Sequence, residues 1–259
     1  MFTIIYKLGR STLNFVGEFG QVFLLLFNVI KYFPRVFKDR RIVLEQMSVV
    51  GSDSLPLVLL IGSFTGAIAA IQATSLFTKF NILSLAKGYI GSSIATVVFT
   101  ELTPVLTALV IAGRVGGAMA AQIGTMNVSE QIDALDMMAI DKNRFLAMPR
   151  VLAALFMMPM LAVFSSVVAL LGGFFITQLK YEFTFNVFFD SVVRYFKMPE
   201  IIIGLTKSFL FGGLTALIGC HVGFQTVGGA EGVGNSTVRA YTISAATILI
   251  IDALFGSIF

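Results

Sequence analysis

The chain has 259 residues, of which 57% are apolar and 12% charged, against roughly 45–50% and about 25% in an ordinary soluble domain. A mean hydropathy of +0.91, 26 Phe, no Trp and a single Cys beside a single His exclude a soluble enzyme domain, a disordered chain, a coiled coil, a disulfide-stapled module and a Cys/His metal cluster. The net charge of +4 points to headgroups and topology and away from nucleic acid, because the basic residues flank apolar runs.

In chain order, the first 33 residues are amphipathic. On a helical wheel Lys7, Arg10, Asn14, Gly17, Glu18, Gln21 and Asn28 share one arc; Ile5, Leu8, Phe15, Phe19, Val22, Phe23, Leu26 and Ile30 fill the other side. The longest apolar stretch, Val22 to Ile30, is too short to cross a bilayer and no cleavage site follows it. The pattern predicts an interfacial helix, lying in the headgroup plane or packed on the protein's own spans. Pro34 ends it, and a basic linker from Arg35 to Arg41 follows. Residues 1–54 are therefore expected to form an interfacial unit and 55–259 a five-span membrane domain.

A hydrocarbon core of about 30 Å takes roughly 20 helical residues, so charge-poor runs can be read as spans. They run between Asp53 and Lys79, from Gly88 to Gly113 around Glu101, from Val151 to Leu179, from Ile201 to Gly223 with Lys207 near the start, and from Ala240 to Phe259 around Asp252. Five spans put the termini on opposite sides. Twelve Lys and Arg fall in the loop set that includes the N-terminus and five in the other set, so the N-terminus is expected in the cytoplasm and the C-terminus outside. The fold class is all-α and polytopic.

Gly62, Gly66 and Ala70, and again Gly113 and Gly117, recur four apart; such faces let membrane helices approach closely, within one chain or between two. Glu101 is the most costly residue of span two, at about 3 kcal/mol on insertion scales, and Pro104 follows it. It needs a partner, a proton or water, and either stabilises the packing or faces a polar cavity. Asp252 and Lys207 raise the same question.

Between spans two and three, Asn127 and Glu130 have capping-box spacing, and Val128, Ile132, Leu135 and Ala139 share one face. A cytoplasmic helix of about 127–140 is expected, presenting Glu130, Asp133 and Asp136 either to water or to a soluble partner. The Gly-rich stretch from Gly223 to Arg239 lacks a following Gly-Lys-Ser/Thr, so it is no phosphate loop. A flexible turn is expected, with Asn235, Ser236 or Thr237 capping the last helix.

The run from Glu101-Leu-Thr-Pro104 through Ala112-Gly-Arg-Val-Gly116 to Met126, then Glu130-Gln-Ile-Asp-Ala-Leu135 and Gly228-Gly-Ala-Glu-Gly-Val-Gly234, resembles the MlaE (YrbE) permease family over essentially the whole chain. The resemblance implies the membrane subunit of an ATP-binding-cassette transporter that moves phospholipid between inner and outer membranes, without catalytic residues, metal or cofactor of its own. It implies a homodimer with a lipid cavity between protomers, a separate cytoplasmic ATPase that binds the ATP, and a periplasmic lipid-binding protein of the mammalian-cell-entry type. The location implied is the inner membrane of bacteria with two membranes, with a periplasmic C-terminus.

Carried over by position, Glu101 matches an acid near the lipid pocket; many members have Arg just before it, where this chain has Thr100. Gln72 matches a family Gln, which makes the following Leu76, Phe77 and Phe80 candidates for the acyl-chain wall. The segment with Glu130, Ile132, Asp133, Leu135 and Asp136 corresponds to the coupling helix that meets the ATPase. Two other classes compete. A proton-coupled secondary carrier would use Glu101, Asp252 and Lys207 as a relay; a membrane-embedded lipid enzyme lacks any nucleophile–base constellation.

Overall fold

Five helices are long and apolar enough to span a membrane, and four shorter ones flank them among the described residues of the computed structural model, which are 17–18, 20–36, 38–80 and 88–258. In chain order they are α1 (Gly20–Tyr32), α2 (Arg40–Val50), α3 (Leu55–Lys79), α4 (Ile90–Val128), α5 (Gln131–Met137), α6 (Asn143–Tyr181), α7 (Phe185–Tyr195), α8 (Met198–Phe224) and α9 (Gly229–Ile258). The spans are α3, α4, α6, α8 and α9, and no strand occurs among the described residues. Proline opens α3 and α8 in their first turn, where a missing N–H costs nothing.

Lipid offers no hydrophobic drive for helices to associate, so close backbone approach must hold the bundle. A Cβ on Gly66 would overlap the backbone of Ala169, one on Gly62 would lie 2.6 Å from the Ser165 carbonyl, and one on Gly172 2.5 Å from that of Ser63. The Gly62/Gly66 face thus seats α3 on α6 inside the chain. Gly116 and Gly117 receive Thr215 of α8 and Thr237 of α9, and a Cβ on Gly219 would sit 2.7 Å from the Gly116 carbonyl. Helix α9 is the least covered of the five spans, and Tyr241, Leu249, Ile250 and Leu254 on it are exposed.

Several boundaries differ from the sequence expectations. Helix α4 continues past Gly113 to Val128, because the glycines there serve interhelical packing. Helix α9 starts at Gly229: the turn is made by positive φ at Gly228 and Gly229, which only glycine adopts freely. Asn235, Ser236 and Thr237 therefore lie within α9 and cap nothing. The helix expected over 127–140 is only Gln131–Met137; Asn127 belongs to α4 and donates from Nδ2 to the Thr226 carbonyl, while Glu130 is the left-handed residue between the two helices. Helix α2 forms within the expected linker. Helix α7 was not among the sequence expectations; its signal is Phe185, Phe188, Phe189 and Val192, which recur at helical spacing and pack together around Phe174.

The readings placed on Ile5, Lys7, Leu8, Arg10, Asn14, Phe15 and Phe19 lie outside the described residues, as does Lys87, one of the five basic residues counted in the second loop set. In α1, Leu25 and Val29 are buried against the bundle while Phe23, Leu24, Phe27 and Ile30 are exposed. Polar groups tie its surroundings to the body: Gln225 Nε2 donates to Gln21 Oε1 at 2.7 Å, Arg239 pairs with Glu18, and Tyr32 donates to Asp141 Oδ2 at 2.6 Å.

Candidate functional site

Three charged side chains in otherwise apolar spans meet at one point. Lys207 of α8, 1% exposed, donates from Nζ to both Glu101 carboxylate oxygens at 2.8 Å and to Asp252 Oδ1 of α9 at 2.9 Å. An isolated ammonium in this setting would be prohibitive; two carboxylates use its three N–H groups. The formal charges of the three groups sum to −1, and the set is not closed: the Glu101 side chain is 45% exposed and that of Asp252 21%. Thr100, just before Glu101, donates to the Thr96 carbonyl at 2.8 Å, and Lys207 supplies the cation.

The local backbone explains how Glu101 reaches this point. Pro104 cannot donate to the residue four back, and Val98–Leu102 forms a wide π-helical turn that carries Glu101. Thr96 on the preceding turn donates to Glu200 Oε2 at 2.8 Å, fastening α4 to the start of α8. The glycine at 204 lets α8 approach, since a Cβ there would overlap the Phe99 carbonyl.

Helical rise gives the depth of the triad. Ile90 precedes Glu101 by eleven positions, about 16 Å along the axis, while Arg114, Arg239 and His221 each lie about 20 Å toward the α5 end. The triad thus sits within the hydrocarbon, nearer the end that carries α7, and Arg114 and Arg239 mark headgroup depth at the α5 end.

The proposed acyl-wall residues are divided. Phe77 packs in the cluster that contains Val98 and Leu102, the residues bounding the turn of Glu101; Leu76 and Phe80 are exposed at the end of α3. At the other end, Ile132 is buried and Leu135 partly so, both against the main core, and they anchor α5. Its outward surface is Glu130, Asp133 and Asp136 with Met137 and Met138; Asp136 meets Lys142 at 3.4 Å.

A second polar cluster, unforeseen because its members lie about a hundred positions apart, ties this end to the α1–α2 corner. Arg144 grips both Asp39 oxygens at 2.9 and 3.0 Å, and Asp141 caps α6 through the Asn143 and Arg144 amides. Burial pushes the Asp141 carboxyl up, but the Tyr32 hydroxyl and those two backbone N–H groups outweigh it and hold the carboxyl below its ordinary range. No group of three or more His, Cys, Asp or Glu able to hold a metal occurs among the described residues.

Against this geometry, the family model described as Permease MlaE matches residues 43–258. A probable ABC transporter permease protein of Rickettsia felis is 34% identical over 263 residues, covering 100% of this chain and 98% of that protein. One of Synechocystis is 40% identical over 231 residues, covering 89% and 84%. The Arabidopsis thaliana protein TRIGALACTOSYLDIACYLGLYCEROL 1, chloroplastic, is 35% identical over 228 residues, covering 87% of this chain and 64% of its own length.

Proposed function

The chain belongs to the MlaE permease family and is the permease of an ATP-binding-cassette transporter, and on that premise we propose that its cargo is a phospholipid whose headgroup meets Glu101. The observation that carries this reading is the Lys207 triad, buried on the lysine side and open on the Glu101 side. A site of net charge −1 with one accessible carboxylate suits the ammonium of a zwitterionic headgroup. Phe77, beside the same turn, and Leu76 and Phe80 beyond it, supply apolar surface for the chains. The Arabidopsis relative carries the name of a galactolipid, which favours a lipid as cargo.

The remaining parts of the machine follow from the same reading. The bare face of α9 pairs with that of a second copy, enclosing the lipid between protomers; a periplasmic lipid-binding protein of the mammalian-cell-entry type exchanges lipid at the α7 end. The N-terminus and α5 are cytoplasmic, in a bacterial inner membrane. A partner ATPase engages α5 through Glu130, Asp133 and Asp136, which Ile132 and Leu135 hold in place. Nucleotide-driven closure of two ATPases moves the paired α5 helices and with them the spans.

The test is lipid transfer in proteoliposomes containing the permease with its ATPase. Glu101→Arg should abolish transfer of phosphatidylethanolamine at normal membrane insertion, because a second cation would then face Lys207 and the headgroup amine. Glu101→Gln should be intermediate. Wild-type transfer by a well-inserted Glu101→Arg protein would overturn the assignment.

A further inference from the structure

Ala112–Gly116 forms a second π-helical turn in α4, and it carries Arg114. Such turns add a residue to the helix and recur at functional positions. Arg114 donates to Ser54 Oγ at the α2–α3 corner. It also borders a cavity of about 210 Å³ between α2 and α4, whose other polar lining is Gln46 and Gln122. No acid lines this cavity, and among the described residues Arg114 makes no ion pair.

The neighbouring charge is also a cation. Arg150, 9% exposed, donates from one terminal nitrogen to the Leu146 carbonyl at 2.9 Å and from the other to Gln122 Oε1 at 3.4 Å, while its buried Nε has no partner. Because Gln122 Oε1 is turned to Arg150, the amide nitrogen is the part left to donate elsewhere. A guanidinium and two amides therefore border one cavity, backed by a second guanidinium, with no carboxylate to neutralise them. Arg114 also lies about 20 Å from the triad along the helix axis, at the depth where lipid phosphates lie.

We propose that this cavity binds the phosphate group of a lipid headgroup in the leaflet at the α5 end, as a site separate from the Glu101–Lys207–Asp252 triad. A guanidinium presents paired N–H donors that match two phosphate oxygens. Val49 and Met119 on the cavity wall adjoin the glycerol region. A lipid held here braces α2 against α4 at the level where α4 turns toward α5.

The experiment uses the full chain in phosphatidylcholine nanodiscs doped with spin-labelled phosphatidylglycerol, reading the immobilised fraction by electron paramagnetic resonance. Arg114→Gln should weaken phosphatidylglycerol binding about tenfold, the loss of one charge-assisted contact, and Arg114→Lys should fall between. Ser54→Ala removes the one hydrogen bond Arg114 makes to protein among the described residues and should bind as wild type. Equal loss in Ser54→Ala would make Arg114 a structural residue and overturn the proposal, as would unchanged binding by Arg114→Gln. If Arg114→Gln fails to insert, Gln122→Leu should still lower binding about threefold, and no loss there counts against the site. Inorganic phosphate should not displace the labelled lipid; displacement at equal concentration would reassign the cavity to free phosphate and overturn the lipid source. Phosphatidylglycerol binding is read here with the triad intact, so failure of this site is distinguished from failure of the headgroup reading at Glu101, which the Glu101→Arg transfer assay reads on its own.

Discussion

Lys207 shows how a residue that is prohibitive alone becomes fixed by its company. Its ammonium is buried, yet each N–H faces a carboxylate oxygen within 2.9 Å. Removing the cation leaves two carboxylates facing one another in a low dielectric. Lys207→Met should therefore destabilise the protein by about 3 kcal/mol, the low end for breaking a buried pair because Glu101 is half open to its surroundings. Adding Asp252→Asn should restore part of that loss, since one of the orphaned charges is gone. Thermal unfolding in detergent measures both, and a Lys207→Met protein as stable as wild type would refute the account. The three charges were each conspicuous in the sequence as isolated ionisable groups in apolar spans. Their meeting was not, because Glu101 and Lys207 lie 106 positions apart and no local pattern encodes which face of α4 turns to α8.

At the scale of elements, hydrophobic run length located all five spans, since a bilayer imposes a minimum length that composition reveals. Their ends were harder to read. Glycine usually ends helices by adopting positive φ; among the described residues only Gly228 and Gly229 adopt it, while Gly113, Gly116 and Gly117 stay helical to admit neighbours. The two uses look alike in sequence. Three π-helical turns, at Val98–Leu102, Ala112–Gly116 and Asn143–Ala147, carry Glu101, Arg114 and Arg144 respectively, and local propensity gives no signal for them. Helix α5 was recognised by its periodicity but drawn twice too long, because Asn127 bonds to Thr226 across the bundle and does not cap α5. Its exposed acids lead to a direct expectation. Asp133→Lys with Asp136→Lys should weaken ATPase association at least tenfold while insertion stays normal, since Ile132 still anchors the helix. Co-purification of the ATPase measures it; full recovery would remove α5 from the docking surface.

For the whole molecule, the two ends of the bundle differ in their number of basic residues. Arg114, Lys142, Arg144, Arg150 and Arg239 belong to the α5 end, while Lys79, Lys180, Arg194 and Lys197 lie at the α7 end. With the N-terminal basic residues the excess grows further, and by the positive-inside rule it favours the proposed cytoplasmic placement of the α5 end. A reporter that is active only outside the cytoplasm should therefore be active when fused after Phe259, and cytoplasmic activity there would reverse the orientation.

The uneven depth of the triad makes it sensitive to voltage. A membrane potential falls across the hydrocarbon, and a full crossing is worth about 2.3 kcal/mol per charge at 100 mV. A site of net charge −1 lying about 20 Å from the headgroup level at the α5 end has some 60% of that fall on one side, or about 1.4 kcal/mol. Any cycle that exposes Glu101 alternately to the two ends changes the share of the field this charge feels. Transfer by proteoliposomes held at 100 mV with a potassium gradient should then differ about tenfold from transfer at zero potential, in opposite senses for the two polarities, and Glu101→Gln, which removes the net charge, should flatten that difference. A permease driven by nucleotide would in this way also respond to the energised state of the membrane in which it sits.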